Sequence, residues 1–220
     1  MSVVITPLGS RHLSQVASLH LRHLPTGFQG RPGQRLLGAY YAAVRKGTGA
    51  SGFVAEQEGR VVGYVCGVWS PSALFSTVLR RHWRTWMFWG VAHAVLHPGV
   101  VPAVASRVRG SSAGAEVTDG TYELRPIVVA QPARGTGVAA DLVEALLADA
   151  RRRGFRRVHL VTRADNAAAQ AFYRKVGFRR VSPLSRPDGD WARYERIVDE
   201  EAEKIQSWGR TVSSPTGEAV

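Results

Sequence analysis

The sequence predicts an α/β fold: one domain of six to seven strands and about four helices, with a helical insertion between the third and fourth strands. Three observations point there. Short β-branched runs alternate with segments whose apolar residues recur at helical spacing. A hairpin signal lies early and an antiparallel pair closes the chain. Between them a strand leads through a glycine turn into a helix, at Gln131 to Leu142, QPARGTGVAADL. The length of 220 residues suits one well-buried domain with an insertion and is short for two.

Val3 to Thr6, ending at Pro7, reads as the first strand. Ser10 is placed to cap a helix running to about Leu24, with Leu13, Val16, Leu19 and Leu21 on its apolar face. LPTGFQGRPG breaks it, and a second helix from about Gln34 to Lys46 aligns Leu36, Tyr40 and Val44. GFVAEQ and VVGYVCGVW read as a hairpin turning at Glu58-Gly59-Arg60. The insertion, about 71–118, begins with one or two helices, from Ser72 to about His97 and from Val101 to about Val108. TYELRPIVVA is the next strand, where Pro126 predicts a bulge, because proline cannot donate within a central strand.

After the glycine turn comes a helix carrying Leu142, Ala145, Leu146 and Ala150, then the strand RRVHLVT. A helix from Asn166 to Val176 is stopped by Gly177. FRRV and WARYERIV read as the last strands, separated by the turn-rich SPLSRPDGD. The domain is expected to span 1–198, with a short helix at Asp199 to Trp208 and a mobile tail completing 199–220.

The net charge of +12 is carried mostly by arginine. No zinc-ligand spacing, RNA-binding signature or continuous basic helix accompanies it, so nucleic acid is not an expected partner. Cys66 is the sole cysteine, which rules out an intramolecular disulfide, and it reads as a small buried hydrophobe. With no signal-peptide pattern in MSVVITPLGS, and no apolar run near the ~20 residues of a spanning helix, the expected location is cytoplasmic.

The loop is the main functional signal. Free backbone N–H groups and a helix dipole converge where a glycine turn enters a helix, making an anion site. The dipole supplies about 0.3–2 kcal/mol, whereas micromolar binding needs about 8. Several N–H bonds to charged oxygens must therefore supply the rest, and small residues allow that approach. A triphosphate loop would need Lys-Ser or Lys-Thr after its second glycine, and Val138-Ala139 stands there. A dinucleotide fold would place the glycines directly after the strand and add further parallel units. Here Ala130 to Arg134 intervene, and an antiparallel pair follows.

A second segment, NAAAQAFYRKVGF at Asn166 to Phe178, sets Tyr173 two helical turns beyond Asn166. With RGTGVA at Arg134 to Ala139, the chain resembles the GNAT superfamily, the GCN5-related acyl-coenzyme A N-acyltransferases. The first segment matches the family's [QR]-x-x-G-x-[GA] pyrophosphate loop and the second its N-x-x-A-x-x-x-Y-x-x-x-G-F pattern. The likeness follows element order from Val3 to Ile197 and is specific from about Glu123 to Val181. It implies the GNAT fold, a mixed central sheet of six to seven strands.

The resemblance also implies roles. Ile127, Val128 and Val129 would run beside the pantetheine arm, with a backbone N–H near Val128 polarising the thioester carbonyl. Arg134, Gly135, Thr136, Gly137, Val138 and Ala139 would hold the pyrophosphate. Asn166 would bond the pantetheine, and Tyr173 would donate a proton to the departing thiolate. Glu123, on the face of Ile127 by period two, is the first choice of general base, with His20 and His23 the second. Many members carry an acidic residue where Arg125 stands, and the ribosomal-protein branch a Glu where Val161 stands. That branch's substrate therefore does not carry over.

The implied enzyme transfers an acyl group, most simply acetyl, from acyl-CoA directly to a primary amine, small or peptidyl, in a ternary complex. The alternatives are a longer acyl chain or an acyl-carrier-protein donor, and a non-catalytic CoA-binding or membrane-docking protein. His93 and His97 stand at i, i+4 without a third ligand, so no metal is expected. Between Ser70 and Gly110 lie five arginines and Trp83, Trp86 and Trp89, with no Asp or Glu. That composition suits a helical flap, a homodimer surface, a carrier-protein site or a membrane contact.

Overall fold

The structure, a computed structural model, describes residues 2–24, 30–96, 121–186 and 189–198. It divides into two compact units, Met1–Leu146 and Leu147–Val220. The expected helices at Val101 to Val108 and Asp199 to Trp208, the tail, residues 25–29 of the break before the second helix, and His97 lie outside the described residues.

The first unit holds β1 (Val4–Pro7), β2 (Ala50–Gln57), β3 (Arg60–Val68) and β4 (Tyr122–Val129), paired antiparallel in that order. Its helices are α1 (Leu13–His23), α2 (Gly30–Arg45), α3 (Pro71–Leu96) and the first part of α4 (Val138–Arg152). The β2–β3 turn takes two residues rather than three. Glu58 and Gly59 have φ of 51° and 76°, the left-handed pair a tight hairpin requires, and Arg60 already pairs with Gln57.

Ser10 does not cap α1. Gly9 does the equivalent for a 3-10 turn at Ser10–His12, its N–H donating to His12 Nδ1 at 2.9 Å, and α1 begins only at Leu13. The second helix starts four residues earlier than its apolar pattern, at Gly30, so that pattern marked its buried face rather than its end. The insertion helix is interrupted at His82 (φ −128°, ψ 18°) and is two helices joined at a kink.

Tyr64, Cys66 and Val68 of β3 share one face and are buried against Val16, Leu37, Tyr41, Val44, Leu74 and Val78 of α1, α2 and α3. Each such side chain contributes about 1.5–3 kcal/mol when fully buried. Cys66 is the expected small hydrophobe, and burial pushes its thiol pKa up. On the opposite face a Cβ at Gly63 would lie 3.1 Å from Leu142 of α4.

The second unit holds β5 (Arg157–Arg163), α5 (Ala167–Lys175), β6 (Arg179–Arg186) and β7 (Gly189–Ile197), with β7 pairing antiparallel to both β5 and β6. Ser182 to Arg186 is strand, not turn. Prolines and serines signalled a loop, but Pro183 sits opposite Ala192 in the β6–β7 ladder next to a register shift, where a missing N–H is tolerated.

Candidate functional site

In the first unit the candidate loop leaves β4 through a 3-10 turn at Gln131–Ala133 and enters α4 at Val138. Gly135 and Gly137 have φ of 80° and 95°, and nothing lies within 4 Å of a Cβ built on either. Backbone conformation, not crowding, therefore demands glycine there. Thr136 Oγ1 donates to the Ala133 carbonyl at 2.8 Å, and Arg134 Nε donates to the Val129 carbonyl at 3.1 Å. The first bond closes the loop on itself and the second ties it to β4. The Gly137 carbonyl accepts from Ala140 and Asp141, so the N–H groups just before them are those a helix start cannot satisfy itself. Val138, at 2% exposure, pins the helix start into the core.

The β3–β4 ladder carries the bulge predicted at Pro126. Val65 faces Ile127 but Gly67 faces Leu124, so two steps on β3 span three on β4. The extra residue overturns one expectation. Glu123 pairs with Val68 and Ile127 with Val65, which puts them on opposite faces instead of one. Glu123 shares the side of Tyr64, Cys66 and α2. It is buried at 7% exposure and holds Arg125 at 2.6 Å through Oε2. Arg125 answers the departure from the family pattern: the cation pairs with the buried carboxylate two positions before it.

His20 and His23 end in different environments. His20 is buried, its Nδ1 2.6 Å from the Tyr41 hydroxyl and 2.9 Å from that of Tyr64, while Tyr41 donates to Tyr64 at 2.9 Å. Burial pulls its pKa to about 4. Its Nε2 has no partner among the described residues. His23 at the end of α1 is half-buried, and its pKa is lowered by burial and by the charges of Arg134 and Arg22.

In the second unit one local sequence explains the placement of Tyr173. Asn166 caps α5, its Oδ1 accepting from the Ala169 N–H at 3.0 Å, worth about 1 kcal/mol. At the other end Gly177 takes φ of 85°, the Gly177 N–H reaches the Arg174 carbonyl at 3.1 Å and the Phe178 N–H the Tyr173 carbonyl at 2.9 Å. That is a Schellman stop, with its hydrophobic contact between the Tyr173 and Phe178 rings at 5.9 Å. Tyr194 packs on Tyr173 from β7 at 6.4 Å. Burial pushes the Tyr173 phenol up to about 12. The capping bond engages the Asn166 side-chain oxygen and leaves its amide donors for a ligand.

Sequence reasoning did not find the His20–Tyr41–Tyr64 triangle or a cavity of about 670 Å³ between α1, α2 and α3, lined by Ser14, Arg31, Gln34, Arg35, His82 and Trp89. The triangle joins α1, α2 and β3 and the cavity joins three helices, so neither has a linear motif.

Comparison with known proteins gives a consistent picture. The model of the family described as Acetyltransferase (GNAT) family matches residues 16–178. N-alpha-acetyltransferase 80 of Mus musculus is 37% identical over 92 residues, 41% of this chain and 28% of that protein. N-alpha-acetyltransferase 30 of Schizosaccharomyces pombe is 37% identical over 60 residues, 27% of this chain and 40% of that protein. The matches thus span less than half the length of these curated relatives. Among solved structures, yncA from Salmonella typhimurium, solved with its cofactor acetyl-CoA, superposes with a TM-score of 0.59 at 16% identity, covering 91% of this chain and 96% of that one. The likeness shows the α/β fold expected from the sequence.

Proposed function

Because the chain belongs to the acetyltransferase (GNAT) family, we propose that it is an N-acetyltransferase whose donor is acetyl-CoA and whose acceptor is the α-amine of a polypeptide. The observation that carries the donor assignment is the Arg134 to Ala139 loop, two left-handed glycines leading into α4. Its N–H groups take the pyrophosphate, and Ile127 to Val129 pair with the pantetheine arm. Asn166 adds its amide donors. The two N-alpha-acetyltransferase relatives support the acceptor class.

In the reaction the amine nitrogen attacks the thioester carbonyl carbon, the C–S bond breaks, and the sulfur leaves with its electron pair. The oxyanion formed on the way accepts the N–H near Val128. The Tyr173 hydroxyl donates a hydrogen bond to the departing sulfur. The proton given up by the amine passes through water to Glu123, and solvent returns one to the thiolate. The Arg125 pairing favours a second reading of the base. In it Glu123 is structural, and His23, whose imidazole is kept neutral by burial, Arg134 and Arg22, takes the proton.

The test is a melting scan followed by a free-thiol release assay. Coenzyme A at about 100 times its Kd adds roughly 2.7 kcal/mol, or about 5–10 °C for a chain of this size. NAD does not. Acetyl-CoA is then consumed with peptides bearing free N-termini and not with amino-terminally blocked ones. Glu123→Gln and His23→Gln separate the two bases by which of them loses turnover. Stabilisation by NAD alone, or turnover restricted to small amines, overturns the donor or the acceptor respectively.

A further inference from the structure

Among the described residues, every exposed large hydrophobic side chain except Val4 and Val181 lies on α3: Phe75, Leu79, Trp83, Met87, Phe88, Val91, Val95 and Leu96. The exposures are high, 62% for Met87, 68% for Phe88 and 74% for Val95. They are not leftovers of a loosely attached helix. Leu74 and Val78 are core residues and Trp86 packs partly against that core, so the inner side of α3 is already seated. The outer row continues past the kink at His82, through Trp83, Met87, Val91 and Val95 at spacing four.

Charge selects the occupant. α3 contains Arg80, Arg81 and Arg84, all exposed, and no acidic residue. A second copy docked by a two-fold axis would set α3 against α3 and bring these arginines together without a carboxylate on the helix to offset them. A lipid surface of negative charge answers both features. Phe, Trp, Met and Val enter the boundary between headgroups and acyl chains, while arginines bury their stems and keep the guanidinium among phosphates. α3 is not long and apolar enough to cross a membrane, so it would lie in the interface.

We propose that the outer face of α3, from Phe75 to Leu96, docks this protein on anionic phospholipid bilayers, with Arg80, Arg81 and Arg84 reading the headgroup charge. Each arginine near such a surface changes partitioning by about fivefold at low salt.

The experiment is co-sedimentation of the full chain with phosphatidylcholine vesicles containing about 30% phosphatidylserine, compared with pure phosphatidylcholine. Retention is expected on the mixed vesicles and falls with salt. Arg80→Gln with Arg84→Gln lowers the partition coefficient about 25-fold, two factors of five. Trp83→Ser with Phe88→Ser, which leaves the charge unchanged and alters only exposed side chains, lowers it at least tenfold. A melting curve that matches the parent shows that these variants fold. Four results overturn the proposal: no retention on the mixed vesicles; retention that survives Trp83→Ser/Phe88→Ser, since charge alone then suffices; a dimer in light scattering that this variant converts to monomer; or capture by an acidic acyl carrier protein in preference to vesicles. No acetyl transfer is measured, so failure here leaves the enzymatic reading intact.

Discussion

Replacing Tyr173 by Phe removes one oxygen and leaves the ring. Burial holds the phenol at about 12, whereas a free thiol has a pKa near 8.5. Complete transfer of the phenolic proton to the leaving thiolate is thus uphill by about 3.5 units, roughly 5 kcal/mol. Tyr173 therefore acts as a neutral donor on the sulfur throughout the working pH range. A hydrogen bond to a developing charge is worth about 1.5–3 kcal/mol, which is about 10–150-fold in kcat. The fold should scarcely notice. The Schellman stop rests on backbone groups, and the packing on Phe178 and Tyr194 uses the ring. Thiol release at saturating acetyl-CoA and acceptor measures kcat and KM across about pH 6 to 10. The expected variant has kcat lowered within that range, KM for acetyl-CoA within about twofold, a melting temperature close to the parent's, and an unchanged shape of the pH profile. A folded Tyr173→Phe with parental kcat refutes the role. So does a loss of kcat matched by an equal loss at Tyr173→Ala together with a lowered melting temperature, which would make the residue structural.

Three further outcomes follow from the structure. Gly137→Ala forces a side chain into φ of 95°; the strain of about 1–2 kcal/mol should weaken coenzyme A binding about 5–30-fold by calorimetry, and an unchanged Kd would mean that the loop is not the pyrophosphate site. His20, neutral in the fold with a pKa near 4, protonates first in the unfolded chain as pH drops below about 6.5. Stability is therefore lost as pH falls from there towards 4, by about 2 kcal/mol at pH 5. Urea unfolding of the parent and His20→Gln at pH 7 and 5 should show that the variant lacks this component, and identical slopes would refute it. Gly67→Ala places a methyl group against the Tyr122 ring, which Ser51 holds by a 2.6 Å hydrogen bond and Trp69 stacks on; overpacking should cost about 1–3 kcal/mol in a thermal melt, and a neutral result would mean that the ring yields.

Local patterns carried most of the fold into the sequence. The seven strands, the Glu58-Gly59 hairpin, the Gly177 stop and the bulge at Pro126 are where the residues put them, because each depends on backbone chemistry within a few positions. The Ser10 cap and the turn expected at Ser182 to Arg186 were misread. At Ser10 the His12 side chain takes the capping role by accepting from the Gly9 N–H, and at Ser182 to Arg186 the ladder to β7 overrides the turn preference of proline and serine.

The candidate site divides along the same line. The sequence by itself determined the two glycines of the loop and the Asn166 to Phe178 segment that clamps Tyr173, since left-handed backbone and helix caps are set by neighbours along the chain. Only the tertiary structure decided the face on which Glu123 lies, its pairing with Arg125, and the burial that holds His20 neutral. A bulge flips every side chain beyond it, and burial and charge depend on what other elements bring within a few ångströms. Pro126 marks the bulge in the sequence, but only the register against β3 sets which residues it moves to the other face.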